Sequence, residues 1–144
     1  MTTVSHDSDF YAWAMEQAGL LRAGKLHEID TANLIEEIES MGRSEKRELE
    51  NRLVILLLHL LKWQFQPSHR GRSWRLTIEE QRREIPYVLE DNPSLKSVLD
   101  DIVERAYAKA AKAAASETDL PVLTFPQECP WPFDSALSDG FFPS

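Results

Sequence analysis

The sequence predicts an all-α fold: a compact bundle of about five main helices around one central buried helix, residues 44–63, with an irregular proline- and aromatic-rich C-terminal arm. Three observations carry this expectation. The stretch Leu49 to Trp63, LENRLVILLLHLLKW, holds a near-continuous apolar block from Leu53 to Leu61 broken only by His59. Apolar residues recur at helical spacing from Asp9 to about Ser116, with capping residues between the periodic runs. No alternating period-2 segment is long enough for a pair of strands.

The central block is rich in Leu, whose unbranched Cβ loses little rotamer freedom in a helix. Its apolar positions cover almost the whole circumference, so the helix must be surrounded. A bilayer span needs about 20 apolar residues. This block has nine positions from Leu53 to Leu61 and is flanked by charged Arg52 and Lys62, so the surroundings are expected to be protein.

The remaining elements follow in order. A first helix is expected from about Asp9 to Arg22, with Asp7 or Ser8 as N-cap and Gly24 as the stop. Phe10, Trp13, Ala14 and Leu21 form its apolar face, widened by Tyr11, Met15 and Ala18, and this face is expected to pack on the core. Asp30 or Thr31 can cap a second helix with Leu34, Ile35, Ile38 and Met41 inward and Glu36, Glu37 and Glu39 outward. Gly42 is expected to end or kink it, and Ser44 to cap the helix that becomes the central element. Residues 64–73, QFQPSHRGRS, read as a connection. A fourth helix carries Trp74, Ile78, Gln81, Ile85 and Val88/Leu89 on one face, with Pro86 expected to kink or restart it. Asn92 before Pro93 reads as the N-cap of a last long helix to about Ser116. Its alanine-rich end suits close approach of a neighbouring backbone. Residues 117–144 combine five prolines with Phe125, Trp131, Phe133, Phe141 and Phe142. Such a segment has apolar area to bury, so it is expected to wrap the bundle, with one short helix at Ser135 to Ser138; packing on another subunit, giving a homodimer, is the alternative.

Composition narrows the function classes. The 144 residues fit a single all-helical domain, 1–144, with a net charge of −8 and 42% hydrophobic residues. This argues against a surface that coats nucleic acid. The charge is uneven: residues 1–50 carry 5 basic and 11 acidic side chains, residues 62–83 carry 6 and 2, and residues 84–144 carry 4 and 11. The basic segment either pairs internally or meets an external anion. One cysteine, Cys129, implies no disulfide framework, and the first 30 residues lack a signal-peptide pattern, so the expected location is cytoplasmic and non-membrane. His6, His27, His59 and His69 are scattered without metal-ligand spacing. Phosphate-loop and nucleophile-elbow motifs are absent, and Cys129 sits beside Glu128, which disfavours a thiolate. No catalytic residue, metal or cofactor is expected.

The sharpest constellation is Lys62 to Arg83, KWQFQPSHRGRSWRLTIEEQRR. It gathers Lys62, His69, Arg70, Arg72, Arg75, Arg82 and Arg83 around Trp63, Phe65 and Trp74. Guanidinium beside aromatic rings is the chemistry of phosphate grip and stacking, although arginine beside glutamate on a helix equally makes a solvated or ion-paired surface. Gln81 lies on an apolar face and needs a partner for its amide, with Trp74 or loop carbonyls the expected ones. His59, inside the apolar block, reads as a neutral, hydrogen-bonded histidine.

The blocks DFYAWAMEQAGLLRAG, NLIEEIESMGRSEKRELENRL, LLHLLKWQFQP, SWRLTIEEQRREI, EDNPSL and LPVLTFPQECPW, in this order, resemble the bacterial family called domain of unknown function 29, over roughly residues 8–142. The resemblance implies an all-helical bacterial protein without an established activity. It also implies a special role for the corner holding Lys62, Trp63, Gln64, Pro67, Trp74, Ile78, Gln81 and Arg82, and it marks Pro86 as a departure. Together these readings favour a non-catalytic binding or scaffolding protein, engaging an unknown protein partner or anionic ligand through His59, Lys62, Trp63, Gln64, Arg70, Arg72, Trp74, Arg75, Gln81 and Arg82. The alternatives are a nucleic-acid or anionic-ligand binder using the arginine cluster, and an enzyme with a site near His59, Trp63 and Trp74.

Overall fold

The computed structural model describes residues 5–144. Among the described residues there are five α-helices and no strand, with short 3-10 turns in the connections after the second, third and fourth helices. The helices are α1 (Phe10–Arg22), α2 (Thr31–Phe65), α3 (Arg72–Asp91), α4 (Leu99–Thr118) and the short α5 (Phe133–Leu137). They fall into two compact units, one ending at Arg43 and one from Ser44 to Ser144. The all-α bundle expected from periodicity is the fold.

In the first unit, α1 starts at Asp9, whose Oδ1 accepts from the Ala12 N–H at 3.0 Å. The expected caps lie one and two residues too early, and Asp7 Oδ1 bonds His6 Nδ1 at 3.0 Å instead. At the other end the Gly24 N–H donates to Leu21 O and the Lys25 N–H to Leu20 O, and Gly24 has φ +74. This is a Schellman stop, and it needs the left-handed backbone that glycine takes without cost. Asp30 then ties α1 to the start of α2. Its carboxylate accepts from Trp13 Nε1 at 2.9 Å and from Asn33 Nδ2 at 2.8 Å, while its N–H donates to Gln17 Oε1 at 2.7 Å. The hydrogen bonds from Asn33 and then Trp13 hold the Asp30 carboxyl below the usual carboxylate range. His6 packs edge-on against Phe10 and Trp13 and bonds Glu37 Oε1 at 2.7 Å, so Glu37 is not simply an outward, solvated carboxylate.

This unit departs from the expected packing. Trp13 and Gln17 are buried, but Phe10, Tyr11, Met15, Leu21, Ile35, Ile38 and Met41 are all exposed. The expectation that these residues pack inward is therefore corrected. The physical reason is size: below about 40 residues a chain cannot enclose a core, and this unit has two helical segments. Gly42 does not end a helix either, because α2 runs unbroken through it. An interior glycine costs only about 1 kcal/mol relative to alanine, and the neighbouring Glu, Lys, Arg and Met are strong helix formers.

In the second unit Leu49, Leu53, Leu56, Leu57, Leu60 and Leu61 are fully enclosed by residues of the same core, including Ile78 and Ile85 on α3 and Ile102 on α4. Ala106, Ala110 and Ala114 present a fully buried small-residue row on α4, as close backbone approach requires. Helix α3 is also continuous, with Pro86 inside it. Pro86 is exposed, so its ring meets no neighbouring element, and the helix continues without the one backbone donor that proline lacks. Asn92 does not cap the last helix from its side chain: its Nδ2 donates to Val88 O and Glu45 Oε2, closing α3, and a 3-10 turn over Pro93–Val98 intervenes before α4.

The C-terminal segment lies on this core. Asp119, at φ 60, stops α4 in the left-handed conformation. Phe125 and Trp131 are buried, and Tyr107 donates its hydroxyl to Pro126 O at 2.6 Å, burial pushing its pKa up to about 12. The short helix covers Phe133–Leu137, slightly earlier than expected.

Two predictions follow from this packing. Leu57→Ala should destabilise the protein by about 2–5 kcal/mol, since Leu57 is 1% exposed and its neighbours cannot collapse far; a denaturation midpoint equal to wild type would contradict the placement. The hydrogen bond to Glu37, then that to Asp7, raises the His6 pKa above 6.5. Its stabilising contribution is thus complete below pH 6.5 and lost as pH rises through the raised value. An NMR titration of His6 should give a midpoint above 6.5 that drops in Glu37→Gln; a midpoint at or below 6.5 in wild type would refute it.

Candidate functional site

The last turn of α2, the 3-10 turn at Pro67–His69 and the first turns of α3 build one corner. Pro67 and Gly71 break the helix so that the chain reverses around Trp63. Trp63 is buried, with its ring 4.8 Å from that of Phe142. The guanidinium groups of Arg70 and Arg75 lie 5.5 and 5.8 Å from the Trp63 ring centroid. Arg70 Nε also donates to Trp63 O. An open depression of about 430 Å³ here is lined by Trp63, Arg70, Gly71, Arg72, Arg75, Leu76 and Glu79.

Several residues of the sequence constellation serve the fold. Arg82 is buried at 4% exposure and donates through Nε to Ala136 O at 2.9 Å, Nη1 to Asp139 O at 3.2 Å and Nη2 to Phe141 O at 2.6 Å. One planar guanidinium thus holds three carbonyls of the C-terminal segment, which the point charge of a lysine could not do. Lys62, also buried, pairs with Glu117 at 2.8 Å and lies 4.9 Å from the Trp74 ring centroid. Gln81 Oε1 accepts from Arg52 Nη1 at 3.3 Å, so its partner is Arg52 and not Trp74 or a loop carbonyl. His59 is half-buried and donates Nδ1–H to Ile55 O at 2.8 Å; burial lowers its pKa, which keeps the ring neutral at pH 7. Gln64 Oε1 is the buried side-chain oxygen left without a partner among the described residues. Neither His59 nor Trp74 lines the depression beside Trp63.

The ion pairs divide the basic segment. Lys62 pairs with an acid, whereas among the described residues Arg70, Arg72, Arg75, Arg82 and Arg83 pair with none. Arg72 and Arg75 also stand in the first turn of α3, which has no acidic residue and no side-chain cap. Cations at the positive end of a helix dipole are unfavourable until an anion joins them.

Three further features lie outside the sequence constellation. Glu50 is buried and held by Arg105 at 3.2 Å and by Lys109. A groove of about 640 Å³ runs along α4 and the C-terminal segment, with Asp100, Glu104 and Glu128 beside Tyr107 and Trp131. Cys129 borders it, donating to Trp131 O, and burial pushes its thiol pKa up, away from nucleophile chemistry. The third is the exposed apolar face of the first unit, on α1 and α2. No three His, Cys, Asp or Glu side chains among the described residues converge as metal ligands would. No helix among them is long and apolar enough to cross a membrane.

The model of the family described as Domain of unknown function DUF29 matches residues 5–142. No curated protein and no solved structure shows a significant match to the chain.

The Arg82 contacts are directly testable. Arg82→Ala should cost about 3 kcal/mol or more and make the C-terminal segment susceptible to limited proteolysis, because the carbonyls of Ala136, Asp139 and Phe141 lose a charged donor. Arg82→Lys should rescue it only in part. Wild-type melting and protease resistance in both variants would remove Arg82 from this role.

Proposed function

This chain belongs to the DUF29 family, and we propose that it is a non-catalytic binding protein whose Trp63 corner receives an acidic segment of a protein partner. The observation that carries this reading is the set of exposed cations Arg70, Arg72 and Arg75 around one depression, without a carboxylate paired to any of them among the described residues, in a protein of net charge −8. Glu79 is the one acid on the rim. The start of α3 adds unsatisfied backbone N–H groups and the positive dipole end. Carboxylates suit this arrangement, since guanidinium groups accept them in bidentate geometry.

The aromatic rings argue for a carboxylate-bearing partner over nucleic acid. Stacking of bases needs open ring faces. Trp63 is already covered by Phe142 and two guanidinium groups, and Trp74 by Lys62. Lys62, Gln81 and Arg82 take no direct part, because they are buried and their polar atoms are engaged within the chain, whereas Arg70, though it donates to Trp63 O, is exposed. They support the corner from behind.

Titration with polyglutamate, followed by fluorescence, should give saturable binding that weakens as salt is raised. Arg72→Gln/Arg75→Gln should weaken it at least tenfold, about 1.4 kcal/mol, while helix content and cooperative melting are retained. A single-stranded oligonucleotide of equal charge should bind less tightly. Tighter binding of the oligonucleotide, or an unchanged affinity in the double variant, would overturn this reading.

A further inference from the structure

The first unit leaves an apolar stripe without a cover. At about 100° per residue, Leu34, Ile35, Ile38 and Met41 fall within an arc of about 120° on α2. Ile35, Ile38 and Met41 are 53%, 60% and 61% exposed, and Leu34 is half-buried. On α1, Tyr11 and Met15, one turn apart, are 74% and 56% exposed on the side away from Trp13 and Gln17, as a separate apolar pair. A single exposed apolar residue is ordinary, but a row of this kind marks a contact surface. The hydrogen bonds of Asp30 with Trp13, Gln17 and Asn33 hold the segment in place, so the stripe is carried on a formed helix pair.

Charge identifies the occupant. Residues 5–43 carry eight acidic and three basic side chains, and Glu37 and Glu39 border the stripe on α2, Glu37 also bonding His6. We infer that this stripe docks a basic amphipathic helix of another protein, its apolar row laid along Leu34 to Met41 and its Lys or Arg flanks against the glutamates. A second copy of this chain fits poorly, because an isologous contact would bring the same acidic rows face to face. The stripe belongs to the first unit and the Trp63 corner to the second.

The test uses the full chain and a synthetic peptide of about 20 residues with Leu in a helical stripe and Lys on its flanks. Three comparison peptides accompany it: one of scrambled order, one with Glu replacing Lys, and one with Ser replacing Leu. The Leu/Lys peptide should bind saturably and gain helicity, while each comparison peptide should bind at least tenfold more weakly. Ile38→Ser/Met41→Ser, at exposed positions, should weaken the Leu/Lys peptide at least tenfold while leaving helix content and polyglutamate binding unchanged. Equal binding of the scrambled or Glu-bearing peptide, no binding of the Leu/Lys peptide, or an unaffected double variant would overturn the inference. Sedimentation showing a wild-type dimer that Ile38→Ser/Met41→Ser dissociates would overturn it too, assigning the stripe to a second copy.

Discussion

The second half of α2 has apolar side chains on nearly every side, and the rest of its unit is arranged to keep water from them. Helices α3 and α4 contribute apolar rows, but two helices leave part of a cylinder open. The C-terminal segment closes the remainder with Phe125, Trp131 and Phe142. A proline-rich strap has few backbone hydrogen bonds of its own, so its carbonyls need donors. Arg82 and Tyr107 supply them. Burial of a charge is costly, and it is offset here because the guanidinium meets three oxygens at once.

The same requirement shapes the corner. Where α2 leaves the core, its side chains change from leucines to Lys62 and Trp63, and each is drawn into the closing contacts. Lys62 reaches Glu117 on α4, and Trp63 lies under Phe142. Arg70, Arg72 and Arg75 are left at the edge: Arg70 and Arg75 lie over the Trp63 ring, and among the described residues no carboxylate pairs with any of the three. The corner is therefore part closure and part open cation cluster, and the division runs between residues that look alike in the sequence.

Much of this is legible in the sequence. Leucine content and the full-circumference pattern marked α2 as the core, Gly24 marked a stop, and the aromatics among the prolines marked a segment with area to bury. Interruptions were read too strongly. Gly42 and Pro86 each break a local rule at a cost that strong helix formers around them and tertiary packing outweigh. Asn92 has the position of an N-cap, but its amide found acceptors on the preceding helix and at Glu45. Within the corner, composition alone could not separate Arg82 from Arg75, since burial depends on which residue faces the returning C-terminal segment. The exposed stripe of the first unit was misread for a related reason: periodicity reveals that a helix has an apolar face, and says nothing of whether the chain owns an element to cover it.

The central contrast is between an apolar helix surface that the chain encloses and one that it leaves bare. Hydrogen exchange along α2 in the free protein tests it most directly. Amides at 53–61 should exchange only through the largest openings, at rates that track global unfolding, while those at 34–41 should exchange far faster through local opening. Equal, global protection of both stretches would contradict the account, because it would mean that the stripe from Leu34 to Met41 is as well covered in solution as the core.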